Sequence, residues 1–205
     1  LLTVTLMILK WFKVGSRGRG AVKMITAALF VAVGIYGCVI SGNVYGYVLA
    51  IGLFFASLGD LFLVFMNKRV WFVAGVLSFS CASLVLSCYS VLSYGFRWWA
   101  TIIFAIFCVT NVLCQLFKVY DYGSNIVYLN IYTVLVGVCG SLGLSVAVTA
   151  ASASALMFGL GCFMYFASDI CLGLYLFKFK FRAVDMVNSL LYFPAMLLIA
   201  MSLII

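Results

Sequence analysis

The sequence predicts an all-α fold, a polytopic transmembrane bundle of about eight helices with both termini non-cytoplasmic, and three observations carry that reading. Hydrophobic residues fill 68% of the 205 positions and charged residues only 8%, giving a mean hydropathy of +1.32, far above that of a water-soluble domain of this size. Apolar stretches of membrane-spanning length follow one another with short connections and no room for a soluble domain. Basic residues collect on one side of those stretches.

A hydrocarbon core about 30 Å thick takes about 20 helical residues per crossing. The first segment, near 1–13, is short for a span and reads as a clipped helix. A signal peptide fits it less well, because charges follow the apolar run and no small-residue cleavage site appears. Further spans are expected near 24–42, 44–66, 70–94, 98–117, 125–146, 153–177 and 184–205, all within a single transmembrane domain, 1–205. The weakly apolar "AVTAASASA" (147–155) reads as a loop and helix start. Gly42 with Gly46, and Gly137 with Gly140 and Gly143, have the spacing of close helix packing.

Charge tests this count independently. Lys10, Lys13, Arg17, Arg19 and Lys23 fall in the first connection, Lys68 and Arg69 in the third, Lys118 in the fifth, and Lys178, Lys180 and Arg182 in the seventh; Arg97 stands opposite. Cytoplasmic loops collect Lys and Arg, so this side is the cytoplasmic one. The net charge of +8 therefore belongs to a membrane face and suits anionic membrane lipids, and it is no argument for nucleic acid. The run "FKFKFR" (177–182) reads as an interfacial anchor or a head-group contact. The expected location is integral and multi-pass, in the cell membrane.

The chain has no His and no Glu, which excludes a His-based metal site and narrows acid–base chemistry to Asp, Lys, Tyr, Ser, Cys or backbone. No cofactor is expected. Eight cysteines, with no CxxC spacing, sit in apolar segments and read as small packing residues.

Four acidic residues remain. Asp121 and Asp185 lie in basic connections and read as surface charges, whereas Asp60, in "FFASLGDLFLVF", and Asp169 lie inside apolar spans. A charge there costs several kcal/mol and usually faces the bundle interior at a working site. Residues four apart share a helix face: Asp60 continues Gly52 and Ala56 beside Gly59, and Asp169 continues Gly161 and Tyr165 and precedes Gly173. At about 1.5 Å per residue, Asp60 lies roughly 9 Å and Asp169 roughly 12 Å inside the cytoplasmic ends of their spans, with Tyr132 and Tyr192 roughly 11 to 12 Å inside theirs. These four side chains are expected to share a polar layer open toward the basic face. A purely structural role, capping or cross-linking helices, is the competing expectation.

The segments "ASLGDLFLVF", "MYFASDICLGLYLFKFKFRA" and "LLYFPAMLLIAMSL", with Lys23 at the start of the second span and "WFVAGVLSF" opening the fourth, resemble the YhhN-like membrane proteins, whose animal members are lysoplasmalogenases. The likeness spans essentially the whole chain. It implies hydrolysis of the vinyl-ether bond of an ether lipid, a lysoplasmalogen, to a fatty aldehyde and a glycerophospho-base. Two carboxyl groups suit that chemistry, one protonating the enol-ether carbon and the other stabilising the cation and activating water. Asp169 as acid and Asp60 as base is the preferred assignment.

A lysophospholipid substrate with its phosphate near Lys23 would carry its vinyl ether to the Asp layer, although Lys23 reads equally as an orientation determinant. Tyr132 and Tyr192 are candidates to bind the carboxylates or the glycerol, or to bond between helices; Ser83 and Tyr165 complete the substrate-binding candidates. Two positions depart from the family pattern: Ser83 stands where a His is frequent, and Met196 where a Gln is. The first change removes a proton carrier or water-positioning group, so a non-catalytic family member competes with the hydrolase, as does a lipid or ion transporter using the two Asp as cation sites. No inverted repeat or interrupted helix pair supports the transporter.

Overall fold

A computed structural model of the chain describes residues 16–119, 126–178 and 181–205. Among them run seven helices: α1 Ser16–Ser41, α2 Gly46–Val64, α3 Arg69–Tyr94, α4 Trp99–Leu116, α5 Ile126–Val148, α6 Ala153–Phe177 and α7 Arg182–Met201. All seven are long and apolar enough to cross a membrane, so the chain is a multi-pass helical membrane protein. The expected segment near 1–13, Asp121 and Lys180 lie outside the described residues.

The spans follow the expected ones to within a few residues except at α1, which begins at Ser16 rather than near 24. Hydrocarbon thickness sets a minimum length, and a helix whose backbone is already satisfied can continue into the head-group region. Gly20 uses that extra length, because its missing Cβ would lie 3.2 Å from Val64. Lys23 thereby moves from a connection to about 10 Å inside a helix.

α1, α2, α3, α5, α6 and α7 close into a ring in that order, α7 returning to α1, while α4 stands outside against α5. Small residues allow the closest approaches. A Cβ on Gly159 of α6 would lie 2.5 Å from the Ala147 nitrogen and 2.6 Å from the Gly143 carbonyl of α5, so backbones touch there. Gly161 meets α7 in the same way, at Ile199 and the Ala195 carbonyl. Gly42 does not follow this pattern: its φ of +59° and empty surroundings make it a turn residue between α1 and α2, where glycine adopts a left-handed conformation at little cost. Ser152 caps α6, its hydroxyl accepting from the Ala155 N–H at 3.1 Å, so "AVTAASASA" is a loop and helix start.

The ring is packed tightly away from the basic end, where Leu53, Leu86, Phe158, Met196 and Ile199 are fully buried. Toward the basic end the packing opens. Lys23, Asp60 and Asp185 lie toward that end.

Candidate functional site

Asp60 enters the bundle on a face of small residues, Gly52, Ala56 and Gly59, all buried with it. The Phe79 ring of α3 lies against bare Gly59, where a Cβ would come within 2.7 Å of it. Asp60 is 1% exposed, and its Oδ1 lies 2.9 Å from Nζ of Lys23, which keeps 26% exposure. Apolar length alone makes Lys23 an orientation determinant or a phosphate contact and does not predict this pair. The signal was available: with α1 running back to Ser16, Lys23 and Asp60 sit at similar depths. A lone carboxylate at that depth calls for a counter-charge.

The pair lines a polar cavity of about 360 Å³ between α1, α2, α6 and α7, whose wall also carries Asp169, Tyr192 and Asp185. Both intramembrane carboxyl groups therefore face one space. Asp185, expected as a surface charge, occupies the first turn of α7, where the helix dipole favours an anion. Asn188 and Ser189 line the same wall. Asp185, Asn188, Ser189 and Tyr192 fall at the spacing of one helical face, a stripe legible in "DMVNSLLY".

A second cavity, of about 100 Å³ and mostly apolar, lies on the other side of α6 and is lined by Val76, Phe107, Leu129, Tyr132, Phe166 and Asp169 among others. The expected layer of four polar groups is thus divided. Tyr192 faces the polar cavity, Tyr132 the apolar one, and Asp169 lines both. Asp169 Oδ2 and the hydroxyls of Tyr132 and Tyr192 are buried without a well-formed hydrogen bond among the described residues, but they are neighbours, with Tyr132 and Tyr165 beside Asp169 and Tyr192 beside Asp60.

Ser83 and Tyr165 lie behind the cavity walls and bond to each other, with the Tyr165 hydroxyl also beside Asp169 and Tyr132. Ser83 Oγ donates to the Phe79 carbonyl at 2.9 Å, leaving its oxygen to accept from the Tyr165 hydroxyl at 3.1 Å. Both are fully buried, and neither lines the two cavities. Tyr165 supports the site through its ring, packed edge-on against Tyr192 at 6.1 Å, while Tyr192 also meets Phe30 and Phe79. Met196, fully buried, is part of the core below.

The arrangement brings together one carboxylate already paired with a cation, a second carboxyl with no cation beside it among the described residues, and two tyrosine hydroxyls. It joins a polar chamber to an apolar one through a single acid. No curated protein and no solved structure matches the chain. The sequence model of the YhhN family matches residues 3–203, and the chain belongs to that family.

Proposed function

We propose that the protein is a membrane-embedded hydrolase that cleaves the vinyl-ether bond of lysoplasmalogens to a fatty aldehyde and a glycerophospho-base. The observation that carries this reading is the position of Asp169 in the wall between a polar and an apolar cavity. A lysolipid has its reactive enol ether at just such a junction, between a charged head and a hydrocarbon chain. Family membership supports the same reading.

In this reading Asp169 is the acid and Asp60 the base. Asp169 gives its proton to the enol-ether carbon remote from oxygen, leaving an oxocarbenium ion whose positive charge faces both carboxyl groups. Asp60, paired with Lys23, takes a proton from water as the water oxygen bonds to the cationic carbon. The hemiacetal then breaks its carbon–oxygen bond to glycerol, whose oxygen takes up a proton while the hemiacetal hydroxyl loses one. Aldehyde and glycerophospho-base leave, and a net water has been consumed. Tyr132 and Tyr192 donate hydrogen bonds to the reacting oxygens, and Lys23 attracts the lipid phosphate toward the polar chamber.

The test is aldehyde release from lysoplasmenylethanolamine by the purified protein, beside Asp60→Asn and Asp169→Asn. Loss of a general acid costs about 10²- to 10⁴-fold, so Asp169→Asn is expected to lose at least a hundredfold. No aldehyde from the intact protein, where another family member works, would make this chain a non-catalytic member. Equal turnover by all three would remove the carboxyl groups from the mechanism.

A further inference from the structure

A third cavity, of about 540 Å³ and open on its outer side past the exposed Leu92, Phe96 and Thr101, lies farther from the basic end between α3, α4 and α5, lined also by Cys88, Phe104, Val138 and Ser141 among others. None of its residues belongs to the site above. It exists because α4 packs against α5 without a comparable approach to α3, although the two are consecutive in the chain. Its serines turn inward on their own helices: Ser87 Oγ donates to the Ser83 carbonyl and Ser141 Oγ to the Gly137 carbonyl, each at 2.7 Å. The space therefore presents carbon.

This cavity is stacked on the apolar one that ends at Asp169. The nearer cavity is lined by Phe107 and Val136, the farther by Phe104 and Val138. Between them is Gly137, where a Cβ would lie 2.4 Å from the Phe107 ring and 3.4 Å from that of Phe104. Two phenyl rings thus rest on bare α5 backbone and separate the cavities. From Asn111, on the nearer cavity, to Ala100, on the farther, α4 rises about 16 Å. That length accommodates a long hydrocarbon chain, and a short one would leave the farther cavity empty.

We propose that the two cavities form one channel for a single long hydrocarbon chain, the alkenyl tail of the lysolipid whose head occupies the polar chamber, with Phe104 and Phe107 as the rings that turn aside to admit it. The identity of this lipid rests on the hydrolase reading. A lysolipid has one chain to place, and one apolar track leaves Asp169. Ordinary bilayer lipid, by contrast, has no reason to align with Asp169.

Cys88 is a built-in reporter, a free exposed thiol on the farther cavity, and Cys81, free and exposed on the same helix but off the cavity, is its control. The full chain in lipid nanodiscs would be treated with an apolar maleimide, with and without a non-cleavable saturated alkyl-ether lysophosphoethanolamine, in long-chain and short-chain forms. With the long-chain lipid at ten times its Kd, alkylation of Cys88 is expected to slow about tenfold, with Cys81 unchanged. The short-chain form should leave both rates as they were. Thr101→Trp fills the farther cavity from an exposed position. It should abolish long-chain protection while short-chain binding, read by displacement of a fluorescent lysolipid, stays unchanged.

Equal slowing at Cys81, or no slowing at Cys88, overturns the channel. So does a Cys88 already unreactive without lysolipid and unaffected by Thr101→Trp, which would mean resident bilayer lipid. Aldehyde is not read in this experiment. Protection in a protein that releases none would sustain the channel and defeat the hydrolase reading, and release without protection would do the reverse.

Discussion

Lys23→Met is the perturbation that most directly tests the charge arrangement of the site. It removes the cation 2.9 Å from Asp60, whose side chain is 1% exposed. Breaking a buried ion pair from one side costs about 3–5 kcal/mol. Because Lys23 is 26% exposed, the pair is partly solvated, and the lower end, about 3 kcal/mol, is the expected loss. Asp60→Asn breaks the pair from the other side, but a freed lysine extends its flexible stem toward water, so about 1 kcal/mol is expected there. The double variant has no charge left to desolvate and should cost much less than the two losses together. The expected coupling is about 2 kcal/mol, within the range for contacting residues. Titrating the four proteins from mixed micelles into SDS, with tryptophan fluorescence as readout, measures the cycle. Single losses that add to within about 0.5 kcal/mol would refute the pairing.

Other sites give independent outcomes. Gly159→Leu forces a side chain into α5 backbone at 2.5 Å and is expected to cost at least about 3 kcal/mol, seen as loss of the monodisperse peak in gel filtration. Tyr165→Phe removes the hydrogen bond to Ser83 but leaves Ser83 bonded to Phe79, and it also takes a hydroxyl from beside Asp169; about 1 kcal/mol of stability should go, read by the same SDS titration. Ser83→His restores the family's frequent residue at a fully buried position with the Tyr165 hydroxyl 3.1 Å away. It is expected to overpack the core by about 1–3 kcal/mol and to leave aldehyde release no higher, as measured beside its melting temperature.

The helices were legible because hydrocarbon forces every backbone group to pair within its own segment, which ties apolar length to structure. The same ruler says nothing about where a helix stops once it reaches the head groups. That is why apolar length starts α1 eight residues late and places Lys23 in a connection. The inward faces of Asp60 and Asp169 were legible from their small-residue neighbours at helical spacing, and Gly52, Ala56, Gly161 and Tyr165 are indeed buried. The partner of Asp60 was not, since it depends on α1 lying beside α2, and spans this uniformly apolar carry little pattern to say which helix neighbours which.

Depth counting also explains the division between Tyr132 and Tyr192. Distance along the membrane normal is one coordinate, and four residues at similar depth can still face different spaces around a ring. α5 turns Tyr132 into the apolar cavity and α7 turns Tyr192 into the polar one. α6 packs between those two helices, so a side chain on its inner face at that depth borders both. Asp169 occupies that position, and under the proposed reaction this is the reason for assigning the proton to it rather than to Asp60. Its neighbour on one side is the apolar cavity with Tyr132, while Asp60, on α2, already has its cation.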